Sequence, residues 1–338
     1  TGGLGYIGSH TVVELHNQGY EVVIIDDLSN TSLNVLESIH KITNSSIKFV
    51  ELDLKNSVKT KEFISSNKEI DGVIHFAASK AVGESVENPL KYYTNNLFSL
   101  TNLLNELKDL NKEINFIFSS SATVYGNPEI VPITESEPIK KAESPYGNTK
   151  QIGEEIIKDL VNSSSNFNAI SLRYFNPIGA HPSALIGELP IGIPQNLVPY
   201  ITQTAIGKRN ELTVFGDNYL TRDGSCIRDY IHVVDLAKAH IIALNRLLKN
   251  KNKAKFEFFN IGTGKGSSVL EVIQAFEKVS QKKLNYRIAD RRPGDVPKIY
   301  ASTEKARQML GWQTELSLET ALADAWRWQS MNPNGYAE

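Results

Sequence analysis

The chain opens on Thr1-Gly2-Gly3-Leu4-Gly5-Tyr6-Ile7-Gly8, in which Gly3, Gly5 and Gly8 have Gly-x-Gly-x-x-Gly spacing and Gly2, Gly5 and Gly8 have Gly-x-x-Gly-x-x-Gly spacing. Glycines at these intervals allow a tight turn out of a strand, close approach of backbone to a pyrophosphate, and close packing of a helix whose first N–H groups face the anion. The spacing alone also fits an ordinary strand-to-helix turn. Its context narrows it: Ile7–Gln18 has a helical apolar period, Gly19 ends it, and Glu21–Asp26 (EVVIID) reads as a buried strand closing on an acid. Asp26 stands where a carboxylate accepts bonds from the 2′- and 3′-hydroxyls of an adenosine ribose and repels a 2′-phosphate, which favours NAD over NADP. No strand precedes the glycines, so a truncated first strand is expected, and an upstream targeting peptide stays open.

From Tyr6 to Phe175, apolar runs alternate with stretches of helical spacing: Lys48–Asp53, Gly72–Ala78, Asn115–Ser121 and Ala169–Phe175 follow the first strand. This is the pattern of an α/β fold with a doubly wound parallel sheet, and it assigns residues 1–177 to a Rossmann-type NAD-binding domain. Pro182–Pro199 lacks a period and reads as a binding loop at a lobe boundary. Beyond it, runs such as Leu212–Gly216, Phe256–Gly262 and Asn285–Asp290 mix with helices over Asp235–Lys249, Ser268–Ser280 and Leu318–Met331. They predict a smaller α/β substrate domain over residues 178–338, with segments such as 229–250 packing back on the first. A length of 338 residues suits two lobes.

Composition excludes several classes. Lys+Arg 36 against Asp+Glu 38 leaves no cationic surplus for nucleic acid. No apolar run approaches the roughly 18 residues of a membrane span. Cys226 is the one cysteine, and the histidines lack metal-ligand spacing, so no disulfide and no metal are expected and the cytosol is the default compartment.

Ser144-Pro145 supplies an N-cap and a proline at the first helical position, so Tyr146 and Lys150 fall one turn apart on one helix face. A tyrosine base must lose a proton held to a pKa of about 10, and bringing that near 7 takes roughly 4 kcal/mol of differential stabilisation. A neighbouring ammonium and a nicotinamide cation in a poorly hydrated cleft supply it. Ser119-Ser120-Ser121 closes a predicted strand at the ligand-binding edge of the sheet, where a serine can meet a sugar hydroxyl or simply cap the turn Val124–Pro128. His75–Ala78 ends another strand at the same edge. Arg228 and Arg291-Arg292 read as solvated charges unless a diphosphate is bound, which guanidinium grips bidentately.

The strings Gly2–His10 (GGLGYIGSH), Ser119–Gly126 (SSSATVYG), Ser144–Gly147 (SPYG), Arg173–Gly179 (RYFNPIG) and Arg228–Val233 (RDYIHV) resemble the UDP-galactose 4-epimerases of the extended short-chain dehydrogenase/reductase family, along essentially the whole chain. The resemblance implies Tyr146 as the base, Lys150 as its electrostatic partner and a cofactor-ribose ligand, and Ser121 as a hydrogen-bond partner of the sugar. It places Gly2, Gly5, Tyr6, Ile7 and Gly8 at the pyrophosphate of NAD. Asp26, Asp27, Asn30 and Thr31 fall at the adenosine, and Asp53 and Leu54 near the adenine. Phe76, Ala77, Lys80, Asn95 and Tyr174 match further cofactor contacts. On the UDP-sugar side the matches are Thr123, Asn176, Asn196, Leu197, Arg228, Arg292 and Asp295. In the family the position of Ile299 faces the sugar, where tyrosine crowds an N-acetyl group and a small residue admits it; isoleucine departs from both.

The implied reaction is reversible C4 epimerisation of UDP-glucose and UDP-galactose, in galactose metabolism. Tyr146 takes the 4-hydroxyl proton as hydride passes from C4 to retained NAD⁺, and the 4-keto sugar turns over before recovering it. A homodimer is expected from the family and from Pro89–Leu110 and Pro145–Val161, whose apolar residues exceed one core-facing stripe. The main alternative is an NAD-dependent nucleotide-sugar 4,6-dehydratase, which places acids after the strand-end serine or threonine, where this chain has Ala122-Thr123-Val124. A non-catalytic NAD sensor has no need of Tyr146 and Lys150. An oxidoreductase that releases NADH is set aside by resemblance alone.

Overall fold

The computed structural model describes residues 1–292 and 295–336. Pro293 and Gly294, and the last two residues of the expected second domain, lie outside the described residues. The chain begins with the glycine turn and α1 (Tyr6–Asn17), then β1 (Val23–Asp26), α2 (Leu33–Thr43), β2 (Lys48–Glu51), α3 (Ser57–Ser66), β3 (Gly72–His75), α4 (Val82–Glu87), α5 (Pro89–Lys108), β4 (Ile114–Ser121), α6 (Pro145–Ser163) and β5 (Phe167–Tyr174). β1 pairs in parallel with β2, and β3, β4 and β5 pair in parallel in that order. Residues 1–2 fill the gap between the two groups: the Gly2 N–H donates to the Ile25 carbonyl at 2.8 Å, and the Phe76 N–H to the Thr1 carbonyl at 3.0 Å. These are strand-like bonds, and they make residues 1–2 the point from which the sheet grows in both directions, the place where doubly wound sheets take ligands.

Every residue of β4 and β5 is buried, as an apolar strand covered on both faces should be. One face packs α3, α5 and α6 through Ile64, Leu100, Leu104, Ile157 and Val161. The other packs α1 and a later helix, α8 (Val233–Leu248), through Leu15, Leu236, Ile241 and Leu244. The helix registers are set locally: the Ser144 hydroxyl accepts from the Gly147 N–H at 3.1 Å, and Pro145 opens α6.

The chain continues through β6 (Asn176–Ile178), α7 (Leu197–Ala205), β7 (Leu212–Phe215), β8 (Ile227–Arg228), β9 (Tyr230–His232), α8 (Val233–Leu248), β10 (Phe256–Ile261), β11 (Ser267–Ser268), α9 (Val269–Ser280), β12 (Tyr286–Ala289), β13 (Lys298–Ile299) and α10 (Leu318–Met331). The short pairs β6 with β9, β7 with β12, and β8 between β11 and β13 surround a second core built from α7, α9 and α10, including Ile201, Val272, Phe276 and Leu322. Two features depart from the sequence reading. The run grouped with the smaller lobe, Phe256–Gly262, supplies β10, which joins the main sheet beside β5 and buries Phe259 and Ile261 in its core. The aperiodic stretch Pro182–Pro199 runs into α7, because Pro199 falls in the first turn, where a missing N–H costs nothing.

Candidate active site

The cofactor side is built on the glycine turn. Gly2 has φ +66°, and a Cβ there would lie 2.7 Å from the Ala77 nitrogen; a Cβ on Gly8 would collide with the Gly2 carbonyl oxygen. Only glycine fits either place. Gly5 caps α1 without a side-chain bond, and the first turn carries no acid, so the positive end of the helix is open to an anion. The Asp26 carboxylate, 8% exposed at the end of β1, accepts from the Leu4 N–H at 3.0 Å and the Leu28 N–H at 3.1 Å. Burial raises its pKa, and the two N–H groups draw it back. Around it, the Thr31 hydroxyl donates to the Leu4 carbonyl, the Asp27 carboxylate accepts from Ser29, and Asn30 is exposed. Asp53 follows β2 and accepts from the Lys55 N–H at 2.9 Å; Leu54 beside it is buried.

Across the switch point, Phe76 and Ala77 follow β3. The Phe76 ring lies 4.7 Å from that of His240, which is 6.0 Å from the Tyr174 ring. Asn95 donates to the Ser79 hydroxyl at 3.1 Å. The Tyr6 hydroxyl donates to the Gly179 carbonyl at 2.7 Å, and Ile7 packs on the sheet core. The Lys80 ammonium stands 5.7 Å from the Tyr6 ring and pairs with Glu188 at 3.4 Å. Three strand spacings separate β1 from β4, about 14 Å at roughly 4.8 Å per strand. A dinucleotide spans such a distance, and the open helix start with its glycine turn fits the pyrophosphate of NAD.

At the far end, Tyr146 and Lys150 project from the first two turns of α6 onto the end of β4, 8% and 4% exposed. The Lys150 ammonium donates to the Ser119 carbonyl at 2.7 Å and stands 5.8 Å from the Tyr146 ring centroid. Ser121 caps the short turn 122–125, accepting from the Thr123 N–H at 3.2 Å, with its hydroxyl near the Tyr146 phenol. Burial pushes the phenol up to about 12, with the neighbouring Ser121 hydroxyl opposing it. Burial also draws the Lys150 ammonium down to about 8, against the pull of Glu154. The protein alone therefore leaves the phenol protonated; adjacent positive charge is needed to make it a base. Tyr174 shares a 2.5 Å hydroxyl bond with Ser119, and the buried Thr123 hydroxyl has no partner among the described residues.

The third wall comes from the later segments. Ile299 of β13 lies in register with Arg228 of β8 and packs beside Val124, Tyr125 and Phe175. Asp295 gathers Arg228 at 3.5 Å and Arg292 at 2.9 Å. Asn196, which caps α7 ahead of Leu197, donates to Glu188 at 2.8 Å. The Asn176 N–H donates to the Asp229 carbonyl at 3.0 Å, joining β6 to the arginine-bearing segment.

Two residues of this wall escaped the sequence reading. Asp229, wholly buried, accepts from the Thr263 N–H and hydroxyl, the Gly264 N–H and the Ala301 N–H, and so ties β8 and β9 to the loops around them. Glu188 accepts from both Lys80, which follows β3, and Asn196, which precedes α7. An acid beside Arg228 was one available signal; nothing in the loop around Glu188 offered another.

Comparison with known proteins agrees with this layout. The profile of the family described as GDP-mannose 4,6 dehydratase matches residues 1–325. The UDP-glucose 4-epimerase of Bacillus subtilis (strain 168) is 52% identical over 336 residues, 99% of this chain and 97% of that protein. Among solved structures, the UDP-glucose 4-epimerase from Bifidobacterium longum in complex with NAD⁺ and UDP superposes with a TM-score of 0.93 at 45% identity, covering 99% of this chain and 98% of that one. The UDP-Glc/GlcNAc 4-epimerase from Campylobacter jejuni gives 0.84 at 37% identity, covering 98% of each chain. With this fold, this glycine turn and this similarity along its whole length, the chain belongs to the UDP-glucose 4-epimerase family.

Proposed function

We propose that this enzyme interconverts UDP-glucose and UDP-galactose by inverting the sugar at C4, with Tyr146 as acid and base. The observation that carries the reading is the convergence of Tyr146, Lys150 and Ser121 at the end of β4 in a sheet whose switch point is a glycine turn open to an anion. Bound NAD⁺ supplies a reversible hydride acceptor for C4. Tyr146 accepts the 4-hydroxyl proton and returns it to the inverted oxygen. Lys150 keeps positive charge beside the phenolate, and Ser121 orients the hydroxyl being deprotonated. Arg228 and Arg292 hold the diphosphate, with Asp295 fixing both guanidinium planes. Binding energy concentrated on the UDP leaves the hexose free to present either face.

Ala122, Thr123 and Val124 offer no carboxyl group for removing water across C5 and C6, which disfavours the dehydratase reading despite the family profile. Division into a cofactor lobe, 1–177, and a UDP-sugar lobe, 178–338, with segments such as 229–250 packing back on the first, suits the two cores. A homodimer is supported by Leu90 and Phe98, exposed on the α5 surface. Among the described residues no helix is long and apolar enough to cross a membrane, and a cytosolic role in galactose metabolism suits the reaction. The test is to incubate the purified protein with UDP-galactose and no added nucleotide, following the sugar by proton NMR. UDP-glucose should form until both sugars stand at equilibrium. A 6-deoxy-4-keto product would instead identify a dehydratase.

A further inference from the structure

Beyond the reacting groups lies a buried charge network that the proposed reaction leaves unused. Glu154 follows Lys150 by one helical turn and is 4% exposed. Its carboxylate accepts from the Ser120 hydroxyl at 2.5 Å and is forked by the Arg173 guanidinium, Nε at 2.9 Å and Nη2 at 2.5 Å. Arg173, 3% exposed, reaches on to the Tyr125 hydroxyl at 3.0 Å, which donates to Asn260 at 2.7 Å. The network thus grips the strand end that carries Ser121, the turn that carries Thr123, and the helix that carries Tyr146 and Lys150. A pair so deeply buried contributes little to net stability compared with apolar packing, so its stability value does not explain its presence.

We propose that Glu154 is a positioning residue for the acid–base pair: clamped by Arg173 and Ser120, its carboxylate holds the β4 end against α6 and keeps Lys150 in its ammonium form beside Tyr146. This rests on the reading of Tyr146 and Lys150 given above. The charged and titratable groups around the lysine are Tyr146 and Glu154 on its own helix and His75 from β3, while Tyr174 of β5 and Tyr92 of α5 face the phenol and Arg173 of β5 faces Glu154. His75 is held neutral by burial, and burial keeps Tyr92 and Tyr174 protonated. Glu154 is accordingly the anion that acts on Lys150, with Arg173 behind it.

The test is the pH profile of kcat/KM for UDP-galactose, whose alkaline limb reports loss of the ammonium. Glu154→Gln keeps the shape and a hydrogen bond but leaves Arg173 uncompensated. The limb should move down by about one pH unit or more, while KM stays within about twofold of wild type. Glu154→Asp keeps the charge, and its limb should stay where it is. Where the single Gln variant does not fold, the double variant Glu154→Gln/Arg173→Gln buries no unpaired charge. Its limb should fall by a smaller step, about half a pH unit, because the guanidinium that partly offsets the carboxylate is removed with it. A limb unmoved in Glu154→Gln, or moved equally by Glu154→Asp, overturns the inference, as does a double variant at or above the wild-type limb. A wild type with no epimerase activity overturns the underlying reading instead.

Discussion

At the scale of the residue, Tyr146 is the group on which the proposed chemistry turns. Burial pushes its phenol up to about 12 with Lys150 already in place, so the proposed reaction needs a further bound cation to bring it toward neutrality. Tyr146→Phe removes one oxygen at a packed position and should leave UDP-sugar binding almost unchanged while lowering kcat by roughly two to four decades, the scale of lost general acid–base catalysis. Steady-state turnover within tenfold of wild type would assign the proton transfer elsewhere. Ile299 is the position expected to decide which sugars fit. It lies in register with Arg228 and is backed by Val124, Tyr125 and Phe175, so it has little room to swing aside, being stiff at χ1. Forcing extra heavy atoms into such a site costs about 1–3 kcal/mol, or roughly one to two decades in rate. Activity on UDP-N-acetylglucosamine should therefore be weak; Ile299→Cys should narrow the gap and Ile299→Tyr widen it. The readout is the ratio of kcat/KM for the N-acetyl and plain sugars in the three proteins, and a ratio indifferent to residue 299 takes it out of the pocket wall.

At the scale of the element, two helices set the behaviour of the surface. α5 buries Tyr92, Leu100, Leu103 and Leu107 on one side and leaves Leu90 and Phe98 78% and 56% exposed on another. α6 packs against α5 and presents Ile152 and Ile156 half-buried beside it. An apolar second face needs a second partner, and a second copy of the same helix pair supplies it. Sedimentation at micromolar concentration should show twice the mass of the chain, and Phe98→Glu should shift the protein toward the monomer. A wild-type monomer would count against the assignment. The elements also show where sequence reading stops. β1, β4, β5, α6 and α10 were legible because period, caps and apolar runs are local signals, and α10 was read to the residue. The partner of β10 was not, because its pairing with β5 is a contact between residues more than eighty positions apart, which no local pattern encodes. The same limit hid Glu188 and Asp229. Each is a single acid whose role exists only once the loops around it are folded together.

At the scale of the whole molecule, the proposed arrangement puts an adenosine end at β1, a reacting end at β4 and an arginine-bearing wall from β8 and β13 along one edge of the sheet. That arrangement suits a cofactor that stays while the sugar turns over. In the proposed reaction hydrogen leaves C4 as hydride and returns to the same carbon, with only the oxygen-bound proton passing through Tyr146. A proton shared with water exchanges; a hydride held in a closed site does not. The most direct measurement is conversion of UDP-galactose deuterated at C4, in ordinary water with no added nucleotide, followed by NMR or mass analysis of the product. The UDP-glucose formed should keep deuterium at C4 in full. Loss of the label to solvent would contradict this reaction, because C4 would then be inverted by proton abstraction at carbon.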